Sequence, residues 1–325
     1  MSFYDELEIA RICNELRREF YHAVKRNFAP CIVLSGGVDT SVITAVASLF
    51  SSLTGVTVAS NAAAPDLPYA KEVAERFNME HLVLTPAEED LVNALERVIP
   101  VIRSFDPMEV HGSVVVYLAL EKAKELGFNS VMTGDGGDEL FAGYTFYFNL
   151  SYDELKCVLE RTWQVMSFSS TYIGNYMQIK VLLPYLDESF KKFAMRIDTS
   201  LKIRRENGKT WGKWILRKAF ENIVPHKVIW RDKIHVGAGS SIETTLPRIA
   251  EKIPESEFRQ KTKEYERRDS VTIKSKEHLL YYEIFRKHVG IPSELGDSDR
   301  RCPSCNAPLR DTLTKFCRVC GAYPI

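Results

Sequence analysis

The feature that most constrains this chain is a short apolar run, Cys31–Leu34, bounded by Pro30 on one side and by Ser35-Gly36-Gly37 on the other. It is too short for a helix and rich in β-formers, and a second apolar stretch follows from Val42 to Phe50, so the unit reads strand, glycine loop, helix. The pattern recurs. Val56–Ala59 reads as a strand, Asp66 as the cap of a helix running through Phe77, and His81–Leu84 as a strand; Thr85-Pro86 with Glu88 opens another helix. Val114–Leu126 reads as a helix stopped by Gly127, and Ser130–Thr133 as a strand that delivers a second glycine-rich loop at Gly134. Such alternation predicts an α/β fold, a parallel sheet flanked by helices.

An amphipathic helix over residues 5–26, with Ile9, Ile12, Leu16, Phe20 and Ala23 on one stripe, precedes this unit. After Tyr144 the strand signals fade, and Ser151–Met166, Leu186–Ile197 and Trp211–Val224 are helical in period, which predicts a helical second lobe. Beyond Pro292 the residues turn small and charged, so a linker is expected near 293–301. The expected division is a main domain over 1–296, with a sheet lobe at about 27–145 and a helical lobe at about 146–292, followed by a cysteine module over 297–325.

Lys plus Arg number 43 and Asp plus Glu number 43, so no global field draws the chain to nucleic acid or an anionic membrane. No apolar run reaches a membrane-spanning length, and the first twenty residues are acidic and amphipathic; a soluble, cytoplasmic protein with no membrane partner is expected. Four of the seven cysteines crowd into the last 24 residues as two Cys-x-x-Cys pairs, a spacing suited to metal better than to disulfides.

The first glycine loop, Ser35-Gly36-Gly37-Val38-Asp39-Thr40-Ser41, turns backbone N–H groups, small hydroxyls and a helix N-terminus toward one point, which suits a phosphate. A carboxylate at Asp39 would repel that phosphate unless a divalent cation stood between them, so the loop implies Mg²⁺. A bare glycine turn with a capping Ser or Asp would also use these residue types, but the whole heptad resembles the pyrophosphate loop of ATP pyrophosphatases, and it lacks the Lys-Ser/Thr ending of a Walker loop. Thr133-Gly134-Asp135-Gly136-Gly137-Asp138-Glu139-Leu140-Phe141-Ala142-Gly143-Tyr144 narrows the resemblance to the synthetase domain of class B asparagine synthetases. Pro65-Asp66-Leu67, Phe105-Asp106, Pro184-Tyr185-Leu186-Asp187, Ile215-Leu216-Arg217-Lys218 and Trp230-Arg231-Asp232-Lys233 fall in that family's order, so the likeness covers most of residues 10–250.

The resemblance implies a pyrophosphate-loop fold and an ATP-dependent, AMP- and pyrophosphate-forming amide ligase that activates aspartate or a related acid as an acyl-adenylate, for attack by ammonia or another amine. It implies ATP contacts at Leu34, Ser35, Gly36, Gly37, Asp39, Thr40, Ser41, Ala59, Thr133 and Gly134, with Asp39 and Asp138 holding Mg²⁺. Lys233 stands at the family's catalytic lysine; its plain alternative is a solvated surface lysine. Asp135 occupies a position where the family carries Glu, a candidate proton acceptor one methylene shorter. The family's glutaminase domain is expected to be missing, because Ser2 follows Met1 where a cysteine nucleophile would stand; ammonia would then come free or from a separate glutaminase subunit. The acceptor pocket departs as well. Lys180-Val181-Leu182 replaces a Glu-x-Arg before Pro184, and Arg103 and His111 stand where Glu and Arg are usual, which redirects recognition of the acid.

Cys302-Pro303-Ser304-Cys305-Asn306 and Cys317-Arg318-Val319-Cys320-Gly321 read as two zinc knuckles, each ending in a residue that tolerates positive φ. Four thiolates saturate tetrahedral Zn²⁺, so the site is expected to be structural. Two other functions remain open on the sequence: a pyrophosphate-loop tRNA-modifying enzyme whose zinc ribbon grips RNA, which the neutral charge disfavours, and a non-catalytic nucleotide sensor.

Overall fold

In the computed structural model, which describes residues 4–206, 208–310 and 314–325, the short apolar runs become the strands of one parallel sheet. They are β1 (Cys31–Val33), β2 (Thr54–Val58), β3 (Glu80–Leu84), β4 (Ser130–Met132) and β5 (Lys180–Leu182), ordered β3-β2-β1-β4-β5. Cys31 pairs with Thr54 and Val33 with Val56, while Ile32 faces Met132 on the other side. Because side chains alternate along a strand, neighbouring residues feed opposite layers. Cys31 and Val131 enter one hydrophobic core and Ile32 and Met132 the other.

Helices fill both faces. One core is closed by α1 (Glu6–Arg26), α2 (Val38–Ala47) and α3 (Leu67–Arg76); the other by α4 (Glu88–Ile102), α5 (Pro107–Glu125) and the helix Lys276–His288. After β4 come the short α6 (Gly137–Phe141), α7 (Tyr152–Val165) and α8 (Ser169–Met177), the last leading into β5. Among the described residues, no helix is long and apolar enough to cross a membrane.

Several elements depart from the periodicity. α2 starts at Val38, well before Val42, because Gly37 takes an extended N-cap geometry and turns Asp39, Thr40 and Ser41 into the first helical turn. α5 starts at Pro107, where Asp106 caps the Met108 N–H at 3.2 Å and the proline supplies a preset φ. Lys180–Leu182 is a fifth strand in a stretch that reads as helical; three residues at a sheet edge leave no alternation to detect. Trp211–Val224 is not one helix either. Its start belongs to the hairpin β6 (Ile203–Glu206) and β7 (Lys209–Gly212), and only Trp214–Phe220 is helical.

Candidate active site

In an open parallel sheet the ligand crevice lies beyond the carboxyl ends of the strands, where the strand order reverses. Here that point falls between β1 and β4. The loop Ser35–Gly37 leaves β1 and the loop Thr133–Gly136 leaves β4, so both glycine-rich segments open onto one edge. Leu34 ends β1 and Ala59 ends β2 at the same edge; their N–H groups donate to Val56 O and Leu84 O, both at 2.9 Å.

Gly36 has φ +66°, and a Cβ there would run into the backbone of Tyr69 and Ala70 on α3, with 2.6 Å to the Tyr69 carbonyl carbon. No other residue fits that turn. The hydroxyls of the loop point inward: Ser41 Oγ donates to Gly37 O at 2.7 Å, Ser35 Oγ accepts from the Gly37 N–H at 3.2 Å and lies 3.2 Å from Thr40 Oγ1.

Four charges converge where the loops meet. Lys213 Nζ sits 2.5 Å from Asp39 Oδ2 and 2.8 Å from Asp138 Oδ1, with its side chain almost fully buried, and Lys233 Nζ donates to Asp138 Oδ2 at 2.7 Å. Burial opposes ionisation of Asp138, but the two ammonium groups outweigh it and hold its carboxyl well below the usual range. Burial alone would lower Lys233, and Asp138 with Asp39 raises it instead. Burial pushes Asp39 upward against the pull of Lys213, and the nearby Asp138 adds to the push. Two carboxylates on the first turns of α2 and α6 are hard oxygen donors of the kind Mg²⁺ takes. Asp39 Oδ1 is buried without a hydrogen-bond partner among the described residues, and Gly137 keeps the space beside it, since a Cβ there would strike that oxygen. The donor set fits a divalent cation.

A second buried cation braces the first loop. Arg231 donates from Nη1 to Gly36 O at 3.1 Å and from Nη2 to Asp66 Oδ1 at 2.8 Å, and its guanidinium lies 3.9 Å from the centre of the Tyr69 ring. Asp66 therefore serves this ion pair and makes no side-chain bond to the start of α3, the capping role its position suggests. Gly239 is kept bare by the same carboxylate. Arg217 in turn donates to Ile229 O and Arg231 O, at 2.5 and 3.0 Å, and so steadies the segment that carries Lys233.

Beyond the phosphate end, Asp135 accepts from Thr133 Oγ1 at 2.8 Å and from Ser170 Oγ at 2.5 Å. Burial raises its carboxyl, and the two hydroxyls oppose the rise. Glu139 is pushed up to about 7 by burial and by Asp138, and its Oε1 accepts from Tyr144 OH at 2.5 Å. His111 pairs with Glu277 at 2.7 Å, Arg103 caps α4 with φ +53°, and Lys180–Leu182 forms β5.

The cysteine module brings Cys302, Cys305, Cys317 and Cys320 together, all buried, with their sulfurs within 4.8 Å of one another. Cys302 Sγ to Cys320 Sγ and Cys305 Sγ to Cys317 Sγ are both 3.7 Å, far beyond a disulfide bond and close to the edge of a tetrahedron with metal–sulfur bonds of about 2.3 Å. The two halves repeat one geometry. Cys302 N and Cys317 N donate to Ala307 O and Ala322 O at 2.9 Å, and Asn306 and Gly321 carry φ of +58° and +71°, the positive values expected of both knuckle ends. The donors suit Zn²⁺ and leave no open position. Cys302, Cys305, Ala307, Leu309, Cys317, Cys320 and Ala322 share the hydrophobic core of α4, α5 and Lys276–His288.

The asparagine synthase profile matches residues 15–170 and 175–304, most of the chain. The chain belongs to the asparagine synthase family. It is similar to the glutamine-hydrolyzing asparagine synthetase B of Escherichia coli (strain K12), 29% identical over 307 residues that cover 86% of this chain and 54% of that protein. It is 30% identical to the glutamine-hydrolyzing asparagine synthetases of Zea mays and, as enzyme 2, of Lotus japonicus, in each case over 62% of this chain and 38% of the relative. The chain thus spans about half or less of the curated relatives it matches.

Lys213, Asp66 in its ion pair, and Ser170 are the site residues that sequence reasoning passed over. Lys213 precedes the helix Trp214–Phe220 with φ +57°, its N–H donating to Phe141 O at 2.9 Å, which anchors it beside α6. No glycine frame or local repeat marks it; only its contacts do.

Proposed function

We propose that this asparagine synthase family member is an ATP-dependent, AMP- and pyrophosphate-forming amide ligase, with a carboxylic acid of the aspartate class as acceptor and ammonia or another amine as nitrogen donor. The observation that carries the reading is the meeting of Asp39 and Asp138 with Lys213 and Lys233 at the sheet's switch point. The largest charge to develop in adenylyl transfer is on the departing pyrophosphate, and fixed cations in a buried site stabilise it without reorganising. Asp39 and Asp138 would hold Mg²⁺, which supplies Lewis-acid neutralisation of the phosphate oxygens.

The remaining roles belong to the chain's own groups. Ser35, Gly36, Gly37, Thr40 and Ser41 present N–H and hydroxyl groups to the β- and γ-phosphates, with Arg231 fixing the Gly36 carbonyl so that the turn keeps its shape. Leu34, Ala59, Thr133 and Gly134 seat the adenosine. Lys213 and Lys233 hold positive charge at the phosphorus under attack by the acceptor carboxylate. Asp135 is the base that takes a proton from the amine as it attacks the acyl-adenylate and AMP departs. RNA modification is the weaker reading: Arg301 and Arg318 of the ribbon are bonded to the chain's own carbonyls, which leaves them a structural use.

Pyrophosphate release, measured with ATP, Mg²⁺ and ammonium against aspartate and then a panel of amino-acid and cyclic acids, tests the proposal. Release that depends on one acid and on ammonium is expected; background rates with every acid would end the ligase reading.

A further inference from the structure

The second cysteine knuckle touches a short connector that leads directly into the helix bearing Ser170, the partner of Asp135. Residues 166–168 join α7 to α8, and from outside they are held by Arg318, which lies between Cys317 and Cys320: Nη1 donates to Ser167 Oγ at 2.8 Å and Nη2 to Val165 O at 3.0 Å. The connector runs straight into Ser169 and Ser170 at the start of α8. Ser170 Oγ donates to Asp135 Oδ2 at 2.5 Å.

The knuckle itself is pinned at its base. Val319 O accepts from the Phe105 N–H at 2.8 Å and from Ser104 Oγ at 3.3 Å, and Gly321 is bare because a Cβ there would strike Asp106 Oδ1. On the other half, Ser304 O accepts from the Thr272 N–H at 2.7 Å. A guanidinium on an exposed tail would ordinarily wander, since ordering a long side chain carries an entropic cost. Here the cysteine cluster on both sides of Arg318 fixes the backbone from which the side chain reaches out, so only side-chain freedom is left to be ordered at the connector.

We infer that the metal-bound knuckle is a positioning device for acceptor chemistry: Arg318 fixes the 166–168 connector, and the connector presents Ser170 to Asp135. The inference rests on the reading of Asp135 as the acceptor-side base. Arg318 is a positioning residue, acting through Ser167 and Ser170 and touching no reacting atom. Of the groups assigned to ATP, Leu34–Ser41 and Ala59 lie on other loops while Thr133 and Gly134 share the Asp135 loop, so the device bears more on the acceptor step than on the nucleotide.

The test uses the full chain loaded with zinc, as wild type and as Arg318→Ala, Arg318→Lys, Ser167→Ala and the Arg318→Ala/Ser167→Ala double variant. Three quantities are measured: bound zinc, amide hydrogen exchange over 166–171, and pyrophosphate release with aspartate as the acid probe and ammonium varied. Losing a charge-assisted contact that places the base for the amine should lower the ammonium-dependent kcat/KM of Arg318→Ala about tenfold while the ATP KM changes less. Arg318→Lys should recover part of the loss, the double variant should be no worse than the worse single one, and exchange over 166–171 should quicken with zinc retained. Equal losses for ATP and ammonium, or unchanged exchange in a zinc-loaded Arg318→Ala protein, would overturn the inference. If the wild type releases no pyrophosphate with aspartate, the choice of acid falls and exchange alone decides the positioning role. If Arg318→Ala fails to hold zinc, Ser167→Ala, which leaves the knuckle untouched, decides it in the same two ways.

Discussion

The glycine-loop cluster and the cysteine module both bury charge, and they settle the cost in opposite ways. In the ribbon four donors of one kind surround one point, with sulfurs 3.7 Å apart in pairs, a set that would fill every position of a tetrahedral ion. At the switch point donors of both signs interlock through Lys213 and Lys233, yet Asp39 Oδ1 is left without a partner. A closed set stabilises and holds shape. An incomplete set keeps capacity for a ligand, and buried polar groups without partners are costly enough that such a gap points to use.

The largest effect that tests this contrast comes from opening the closed site. Cys302→Ser should abolish zinc binding and, because apparent metal-binding energies in small modules run to about 10 kcal/mol or more, unfold the ribbon. Since the ribbon shares the core of α4 and α5, exchange protection should also fall at the Phe105 and Thr272 amides, which donate to Val319 O and Ser304 O. ATP binding should persist, measured by titration; its complete loss would make the two regions one unit.

Next in size is Lys213→Ala, which leaves Asp39 and Asp138 facing each other without their shared cation. Breaking a buried pair this way costs about 3–5 kcal/mol, read as a lower denaturant midpoint. Pyrophosphate release should drop roughly 10²- to 10³-fold, as when a preorganised charge contact is removed. Turnover near the wild-type rate would move the chemistry away from this cluster. A smaller loss is expected of Arg231→Lys, because an ammonium cannot serve Gly36 O and Asp66 together while lying flat on Tyr69. ATP affinity should weaken about tenfold by calorimetry, the scale of one charge-assisted hydrogen bond.

The smallest effect concerns a buried cation that belongs to neither region. Lys202 is fully buried, donates to Ala194 O at 2.9 Å and lies 4.6 Å from the centre of the Trp163 ring. Burial pulls it down from 10.5 to about 7, with Asp198 opposing. Between those two pH values the unfolded chain binds a proton that the folded chain lacks, so this lysine's contribution to stability rises with pH across the window and is flat outside it. Lys202→Met should remove that slope from denaturant midpoints measured from pH 7 to 10. An unaltered slope would assign the dependence to other groups.

Much of the candidate site is legible in the sequence because its parts are local. The turn at Gly36 needs a residue without a side chain, two loops each follow a short buried strand, and the knuckles put Asn306 and Gly321 where φ must be positive. Lys213 was hidden for the converse reason: its partners Asp39 and Asp138 lie 174 and 75 positions away. Asp66 misled because an acidic residue before a helix has an ordinary local use as a cap, and Arg231 outbids it through tertiary contact alone.

By itself, then, the order of residues determined the parallel α/β architecture, the two glycine loops and the four thiolates, since each follows from periodicity, from backbone conformations only certain residues adopt, or from donor spacing along a few positions of chain. Only the tertiary structure decided that β5 completes the sheet, that Lys213 bridges the Asp39 and Asp138 carboxylates, and that the ribbon packs into the main core with Arg318 on the connector that leads to Ser170. These depend on contacts between segments far apart in the chain, where charge pairing and burial are settled by the packed neighbours and leave no periodic trace in any one stretch of residues.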